Sequence, residues 1–133
     1  MGDLSDHFSI KEFKCRCDDP DCVGKKILPS VLLILLLEDI RNHFGRPIKI
    51  NCGVRCERYN EKIGGARNSR HLPQYADAAD IRIPGISMGR LSVYADYIVG
   101  PRGGVGLYDT FVHVDMRGIK ARWDNRTKGD VKK

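Results

Sequence analysis

The sequence predicts a small single domain of the α+β class, built on an antiparallel sheet. An apolar segment from Val31 to Phe44 has the length and the end signals of a helix. Four short runs with strand character, bounded by glycine, proline or turn residues, follow at 48–50, 80–83, 105–108 and 111–115. A chain of 133 residues is long enough for one such domain with a core of its own.

The predicted helices begin at residues that satisfy free backbone groups. Ser9, with Glu12 three residues later, predicts a short capped turn. Ser30 caps the long apolar helix and Gly45 ends it. Because that helix is apolar on nearly every side of its first half, we expect it to be buried centrally. Two further helices are predicted, over 56–63 and 87–99.

The predicted strands are separated by turn residues. The run 80–83 ends at Pro84. The tight connection Asp109–Thr110 joins the last two runs and predicts an antiparallel hairpin. Arg122 and Trp123 are predicted to be the last residues of the folded domain.

The composition is that of a globular chain, with 41% hydrophobic and 30% charged residues. A net charge of +6 suits a polyanionic partner such as nucleic acid, or an anionic bacterial envelope. We interpret the basic segment 124–133 as a solvated, flexible tail. The aromatic and basic surface pattern of nucleic-acid binders is not evident, so we expect no nucleic-acid partner.

The chain starts without a signal peptide, and its longest apolar run, 31–37, is too short to span a bilayer. We therefore expect no membrane insertion, and synthesis in a reducing cytosol, where stable disulfides are rare.

Five cysteines are present, and an odd number cannot all pair within one chain. They are Cys15, Cys17, Cys22, Cys52 and Cys56. The first three lie in the segment 1–26 and could bind a second zinc ion, with His7 or a later cysteine as the fourth ligand. Their spacing is not a regular paired CxxC arrangement, so the sequence favours reduced thiols under a loop.

Two histidines and an acid form a candidate metal site. His71 and Asp80 bracket a short loop, and His113 follows much later in an alternating run. Such a set of three nitrogen and oxygen ligands is typical of a catalytic zinc ion, which keeps a fourth position for water.

Asp115 shares a strand face with His113, because side chains alternate along a strand. It could act as the general base for a zinc-activated water, which is the role we favour, or it could orient a histidine. Asp109 is a second candidate base. In another register, Asp115 is the metal ligand and His113 the catalytic group.

Six short motifs occur together in a fixed order. They span 50–55, 64–66, 69–71, 78–81, 104–108 and 111–115. In this order they resemble the zinc D-alanyl-D-alanine carboxypeptidase family, the peptidase M15 group whose fold is shared with the signalling domain of hedgehog. The compact type found in phages and prophages is the most similar branch. The resemblance implies one M15-like domain over residues 1–133, with helices packed on one side of the antiparallel sheet.

The resemblance also implies roles for individual residues. It makes His71, Asp80 and His113 the zinc ligands, and it places Ser69 and Arg55 as substrate-binding groups, with Arg55 also steadying negative charge. Eight residues separate the first histidine from the acid, where the family usually has six, so Asp77 is a rival ligand. The glycine usual in that loop falls on Ala76.

We therefore expect a monomeric zinc peptidase that cleaves stem or cross-link peptides of peptidoglycan. It would reach the bacterial wall during phage lysis or as part of a virion. The alternative is a metal-binding module of the same fold without turnover. The residues do not decide which bond is cut.

Overall fold

The computed structural model describes residues 2–127. The helices of this part of the chain are α1 (Val31–Phe44), α2 (Glu57–Lys62) and α3 (Met88–Val99). Its strands are β1 (Lys49–Cys52), β2 (Ala78–Arg82), β3 (Gly104–Leu107), β4 (Val112–Asp115) and β5 (Ala121–Asp124). Short 3-10 turns span Ile10–Phe13, Val23–Lys25 and Gly100–Arg102. The α+β class is confirmed.

The five strands form one sheet in the order β1-β2-β4-β3-β5. The pairs β1–β2, β2–β4 and β3–β4 are antiparallel, as predicted. The last strand, β5, pairs parallel with β3 and contains the predicted closing residue Trp123. The sequence prediction did not include this parallel edge.

The two faces of the sheet differ in chemistry because side chains alternate along each strand. One face carries Ile81, Val112 and Val114, which are fully buried in the main hydrophobic core. α3 packs against β3 and β4 and also contacts α1. The opposite face carries Asp80, His113 and their neighbours, so the core and the candidate site occupy opposite sides of the same strands.

α1 begins and ends where the sequence predicts. The Ser30 hydroxyl accepts a hydrogen bond from the Leu33 amide at 3.0 Å, and Gly45 ends the helix in the left-handed conformation, at φ 66°. The expected central burial is wrong, because one side of the helix faces solvent. Val31 is 73% exposed and Leu35 60% exposed, since only the other side meets the core.

A β-bulge in β1 changes which side chains face the candidate site. Ile50 pairs with Ile81, whereas Cys52 pairs with Asp80, so Asn51 is the extra residue. The bulge brings the Cys52 thiol beside Asp80, which the strand period alone would not predict.

The N-terminal segment 1–26 contributes Phe8 and Phe13 to the main core, each 1% exposed. At the other end, the predicted tail over 124–133 overlaps β5 at Asp124, and its residues 128–133 lie outside the described part of the chain. Within residues 2–127, no helix combines the length and the hydropathy needed to cross a bilayer.

Ala76 has a left-handed backbone conformation, with φ of 49°, at the position where related sequences are expected to carry glycine. Its carbonyl accepts a hydrogen bond from the Ser30 amide at 2.8 Å, which ties the loop to the start of α1. Ala76→Gly should raise the free energy of unfolding by about 0.5–1 kcal/mol, because relief of left-handed strain outweighs the loss of one buried methyl group.

Denaturant unfolding measures this change. Ala79→Gly is the matched control, because Ala79 is fully buried in β2 and its φ is not positive. That control should lose stability. Equal destabilisation of the two variants would contradict the strain at Ala76.

Candidate metal centre and cleft

Three elements bring the predicted metal ligands together. Asp80 on β2 lies directly opposite His113 on β4 in the antiparallel pairing. His71 comes from the loop that precedes β2, and its carbonyl accepts a hydrogen bond from the Arg55 amide at 2.8 Å. All three residues are buried, between 1% and 7% exposed.

Three potential metal-ligand atoms lie close enough together to share one ion. His71 Nε2 lies 3.1 Å from Asp80 Oδ1, His113 Nδ1 lies 3.0 Å from the same oxygen, and the two nitrogens are 3.2 Å apart. Atoms that share a tetrahedral zinc ion at about 2.0–2.1 Å are roughly 3.3 Å apart. The spacing therefore fits a zinc ion with three protein ligands.

Each imidazole has an acceptor for its N–H group on the side away from this point. His71 Nδ1 lies 2.6 Å from the Gly53 carbonyl, and His113 Nε2 lies 2.7 Å from Asp115 Oδ2. With these protons so placed, two nitrogen lone pairs and a carboxylate oxygen face one another. Three acceptors at this distance repel one another unless a cation lies between them.

The electrostatics of the site also favour positive charge. Burial alone would raise the pKa of Asp80, but the imidazoles of His113 and His71, which are cationic donors when doubly protonated, hold that pKa well below its ordinary value. Burial alone would lower the pKa of each histidine, yet the neighbouring carboxylates raise both. A proton or a metal ion is thus attracted to the same place.

Asp115 is enclosed by hydrogen-bond donors. Its carboxylate accepts from His113 Nε2, from both Nε and Nη2 of Arg117 at 2.9 and 2.8 Å, and from the backbone amides of Gly104 and Arg117. Burial alone would raise its pKa, but His113 and Arg117 lower it far below the ordinary range. Asp115 is fully buried and does not line the cleft.

The rival acids lie elsewhere. Asp77 forms a two-pronged ion pair with Arg70, with oxygens 3.1 and 2.7 Å from its Nε and Nη2. Asp109 accepts hydrogen bonds from the backbone and hydroxyl of Thr127 and does not line the cleft. Asp80, and not Asp77, is therefore the acid beside the two histidines.

A cleft of about 850 Å³ opens over the three donors. Arg55, Ser69 and Tyr108 line it together with the histidines and Asp80, which is the one carboxylate among its described lining residues. Arg55 Nη2 donates to the Ser69 hydroxyl at 3.3 Å, while its buried Nε has no hydrogen-bond partner. Because the Arg55 side chain lines the cleft, its guanidinium is suited to bind a substrate oxygen.

Sequence reasoning left two cleft residues without a role. Trp123 Nε1 donates to the Tyr108 hydroxyl at 2.9 Å, which leaves the phenolic proton able to donate elsewhere. The Trp123 ring lies over Gly106, where a Cβ atom would come within 2.3 Å of it, and 5.1 Å from the His113 ring. The parallel pairing of β5 with β3, which brings Trp123 here, gave no signal in the sequence.

Cys52 is a further potential ligand, grouped with His71 and Asp80. Its sulfur and one donor atom each of His71 and Asp80 lie within 4.8 Å of one another. A metal ion with this thiolate as a fourth protein ligand would have no position left for water. The sequence gave Cys52 no role, because only the bulge in β1 brings it to the site.

Comparison with known proteins gives one result. The sequence profile described as Peptidase M15 matches residues 6–115, which include all six predicted site residues. No curated protein matches the chain.

Proposed function

The chain belongs to the peptidase M15 family, and from this premise we propose that it is a zinc-dependent peptidase of peptidoglycan stem or cross-link peptides. Membership of the family implies a hydrolase of peptide bonds. The zinc ion and the cell-wall substrate are the parts that we add.

One observation carries the zinc assignment. Asp80 Oδ1, His71 Nε2 and His113 Nδ1 face one another at 3.0–3.2 Å, while each imidazole N–H is directed to an acceptor outside the site. When bound there, a zinc ion supplies a Lewis acid and lowers the pKa of water to about 7. The open cleft leaves room for substrate on the exposed side of the three ligands.

Arg55 and Tyr108 are the proposed substrate-binding donors. The guanidinium of Arg55 can donate to a substrate carbonyl oxygen or carboxylate, and Ser69 holds it in place through its hydroxyl. The phenol of Tyr108, fixed by Trp123, can donate its proton to an oxygen or nitrogen of the peptide. Donors fixed before the reaction stabilise the negative charge that develops during it.

Asp115 is proposed to orient His113. The base role that the sequence favoured stays an untested prediction, but the contacts of Asp115 support the other alternative. A general base works best with a pKa near the working pH. Asp115 instead has a strongly lowered pKa, accepts hydrogen bonds from Arg117 and His113, and has no access to the cleft. It fixes the ring so that Nδ1 faces Asp80 and His71, the residues that would hold a zinc ion with it.

The substrate class follows from the charge of the cleft. Arginines dominate its charged lining: Arg55, Arg67, Arg70 and Arg117. Arg70 and Arg117 are paired with acids, so Arg55 and the exposed Arg67 can meet an incoming carboxylate. Peptidoglycan stems end in D-amino acids with a free carboxylate. Both trimming of a terminal D-alanine and cleavage of a cross-link suit this cleft, in a bacterial wall attacked by a phage.

Incubation with purified peptidoglycan tests the proposal. Mass analysis should detect released D-alanine or separated cross-linked peptides. Arg55→Ala should lower kcat/KM by about 10²–10³-fold, as for loss of one donor to a developing oxyanion, with unchanged zinc content. Arg90→Ala, which removes an exposed arginine of α3 near Phe44, is the control. Full activity of the Arg55 variant would contradict this role.

A module without turnover is the second candidate, and Cys52 favours it. A thiolate in the fourth position would bind the ion tightly and exclude water. Zinc binding without released peptides would support this function. X-ray absorption then separates the two when Cys52→Ser is compared with the unmodified chain, because only the closed module loses a sulfur ligand of its zinc ion in that variant.

A further inference from the structure

Four of the five cysteines form a second cluster away from the cleft. The sulfur atoms of Cys15, Cys17, Cys22 and Cys56 all lie within 4.8 Å of one another. All four are free thiols in the structure. We propose that these four cysteines bind a second zinc ion, which is structural.

The cluster has the composition and the dimensions of a closed zinc site. Structural zinc sites are tetrahedral, with four thiolates as one common ligand set, and a Zn–S distance of about 2.3 Å places the sulfurs roughly 3.8 Å apart. The observed limit of 4.8 Å needs only a small contraction on binding. Cys15, Cys22 and Cys56 are each less than 9% exposed, so the site is also shielded from solvent.

The surroundings supply hydrogen bonds that thiolates need. The Cys56 amide donates to Cys15 Sγ at 3.3 Å, and the Tyr59 amide donates to Cys56 Sγ at 3.4 Å. The Lys25 ammonium lies 3.1 Å from Cys17 Sγ. Four thiolates and one Zn²⁺ carry a net charge of −2, and this lysine offsets part of it. Such outer contacts are usual around metal ligands.

The segment around the first three cysteines has little else to hold it. Between residues 14 and 30 the only regular element is one 3-10 turn, Val23–Lys25. Val23 and Leu28 are 54% and 59% exposed, so they do not form a core. The cysteine cluster is separate from the main core and includes only Tyr59 besides the thiols. A metal ion would replace the missing apolar core here.

The same ion would support the cleft. Cys56 directly follows Arg55, and the Val54 amide donates to the Phe13 carbonyl at 2.8 Å. Gly53, whose carbonyl orients His71, precedes these residues. Binding of Cys56 together with three N-terminal cysteines therefore fixes one end of the segment 53–56, which contributes Arg55 to the cleft and the Gly53 carbonyl to His71.

The sequence favoured reduced thiols and left a second zinc ion as the alternative. The structure supplies the fourth ligand from the later cysteine Cys56, 34 residues beyond Cys22 in the chain. His7, the other candidate, binds Glu38 instead, with Nδ1 and Oε1 2.6 Å apart. The fifth cysteine, Cys52, lies beside His71 and Asp80 instead, which accounts for the odd count.

Metal analysis and X-ray absorption of the purified chain test this site. We expect two zinc ions per chain, one with four sulfur ligands. His113→Ala should lose one ion and keep the four-sulfur signal, whereas Cys22→Ser should lose that signal. Cys52→Ser is the matched control and should keep it. Because Cys22→Ser could fail to fold, cobalt substitution of the unmodified chain gives a second measurement, with the intense charge-transfer bands of a tetrathiolate ion expected.

Thiol counting separates the zinc site from disulfides. After denaturation with a chelator and no reductant, alkylation should modify all five cysteines. Modification of a single cysteine would mean two disulfides and would overturn the proposal. A zinc content of one per chain without sulfur ligands would overturn it as well. Neither result depends on peptidase activity.

Discussion

His113→Ala is expected to remove the zinc ion of the cleft and to abolish peptide hydrolysis. The ring supplies one of three donors, 3.0 Å from Asp80 Oδ1 and 3.2 Å from His71 Nε2, and alanine cannot replace it. We expect kcat/KM to fall by at least about 10³-fold, equivalent to roughly 4 kcal/mol of transition-state stabilisation. Steady-state kinetics on a cell-wall peptide and metal analysis measure the two effects together.

His43→Ala is the matched control. His43 is an exposed residue of α1 that stacks on Tyr94 at 3.7 Å between ring centroids, on the core side of the sheet. Its removal should leave the zinc content and kcat/KM unchanged. Retention of the cleft zinc in His113→Ala would contradict the three-ligand centre, and would direct attention to Cys52 as the third ligand.

Asp115→Asn should weaken both the fold and the metal site. The substitution leaves Arg117 without its buried carboxylate partner, which should cost about 3 kcal/mol of folding free energy. Loss of the acceptor for His113 Nε2 should also lower zinc affinity by about 10–100-fold. Denaturant unfolding and competition with a zinc chelator measure these effects.

Asp77→Asn separates the effect on folding stability from the effect on zinc affinity. Asp77 forms a similar ion pair with Arg70, but it does not contact either histidine among its described hydrogen bonds. This variant should lose stability and keep its zinc affinity. Loss of zinc from Asp77→Asn would support Asp77 as a metal ligand, the alternative that the sequence left open. Unchanged zinc affinity in Asp115→Asn, with a large fall in kcat, would instead support Asp115 as the general base.

Asp115 has a pH dependence that follows from the same contacts. The pKa of Asp115 is lowered in the folded state. Its contribution to the free energy of unfolding is therefore fully present above the ordinary pKa of a carboxyl group, and it is lost as pH falls through the folded-state pKa. The ion pair with Arg117 should therefore persist at neutral and mildly acidic pH.

The sequence determined the local structure and the chemistry of the ligands. Ser30 and Gly45 mark the two ends of α1. A serine hydroxyl and a glycine in the left-handed conformation satisfy the free backbone groups at helix ends regardless of what packs around them. The alternation around His113 placed it opposite to the core face of β4, since the strand period is a property of the backbone. The nitrogen and oxygen donors of the centre were identified by residue type, because two imidazoles and a carboxylate are typical ligands of a catalytic zinc ion.

The tertiary structure decided which groups meet. The bulge at Asn51 brought Cys52 beside Asp80, and Cys56 lies close to three cysteines of the N-terminal segment. Asp115 lost its access to the cleft because Arg117 and the Gly104 amide surround its carboxylate. These contacts depend on strand pairing and burial between distant segments, and neither residue type nor spacing along the chain specifies them.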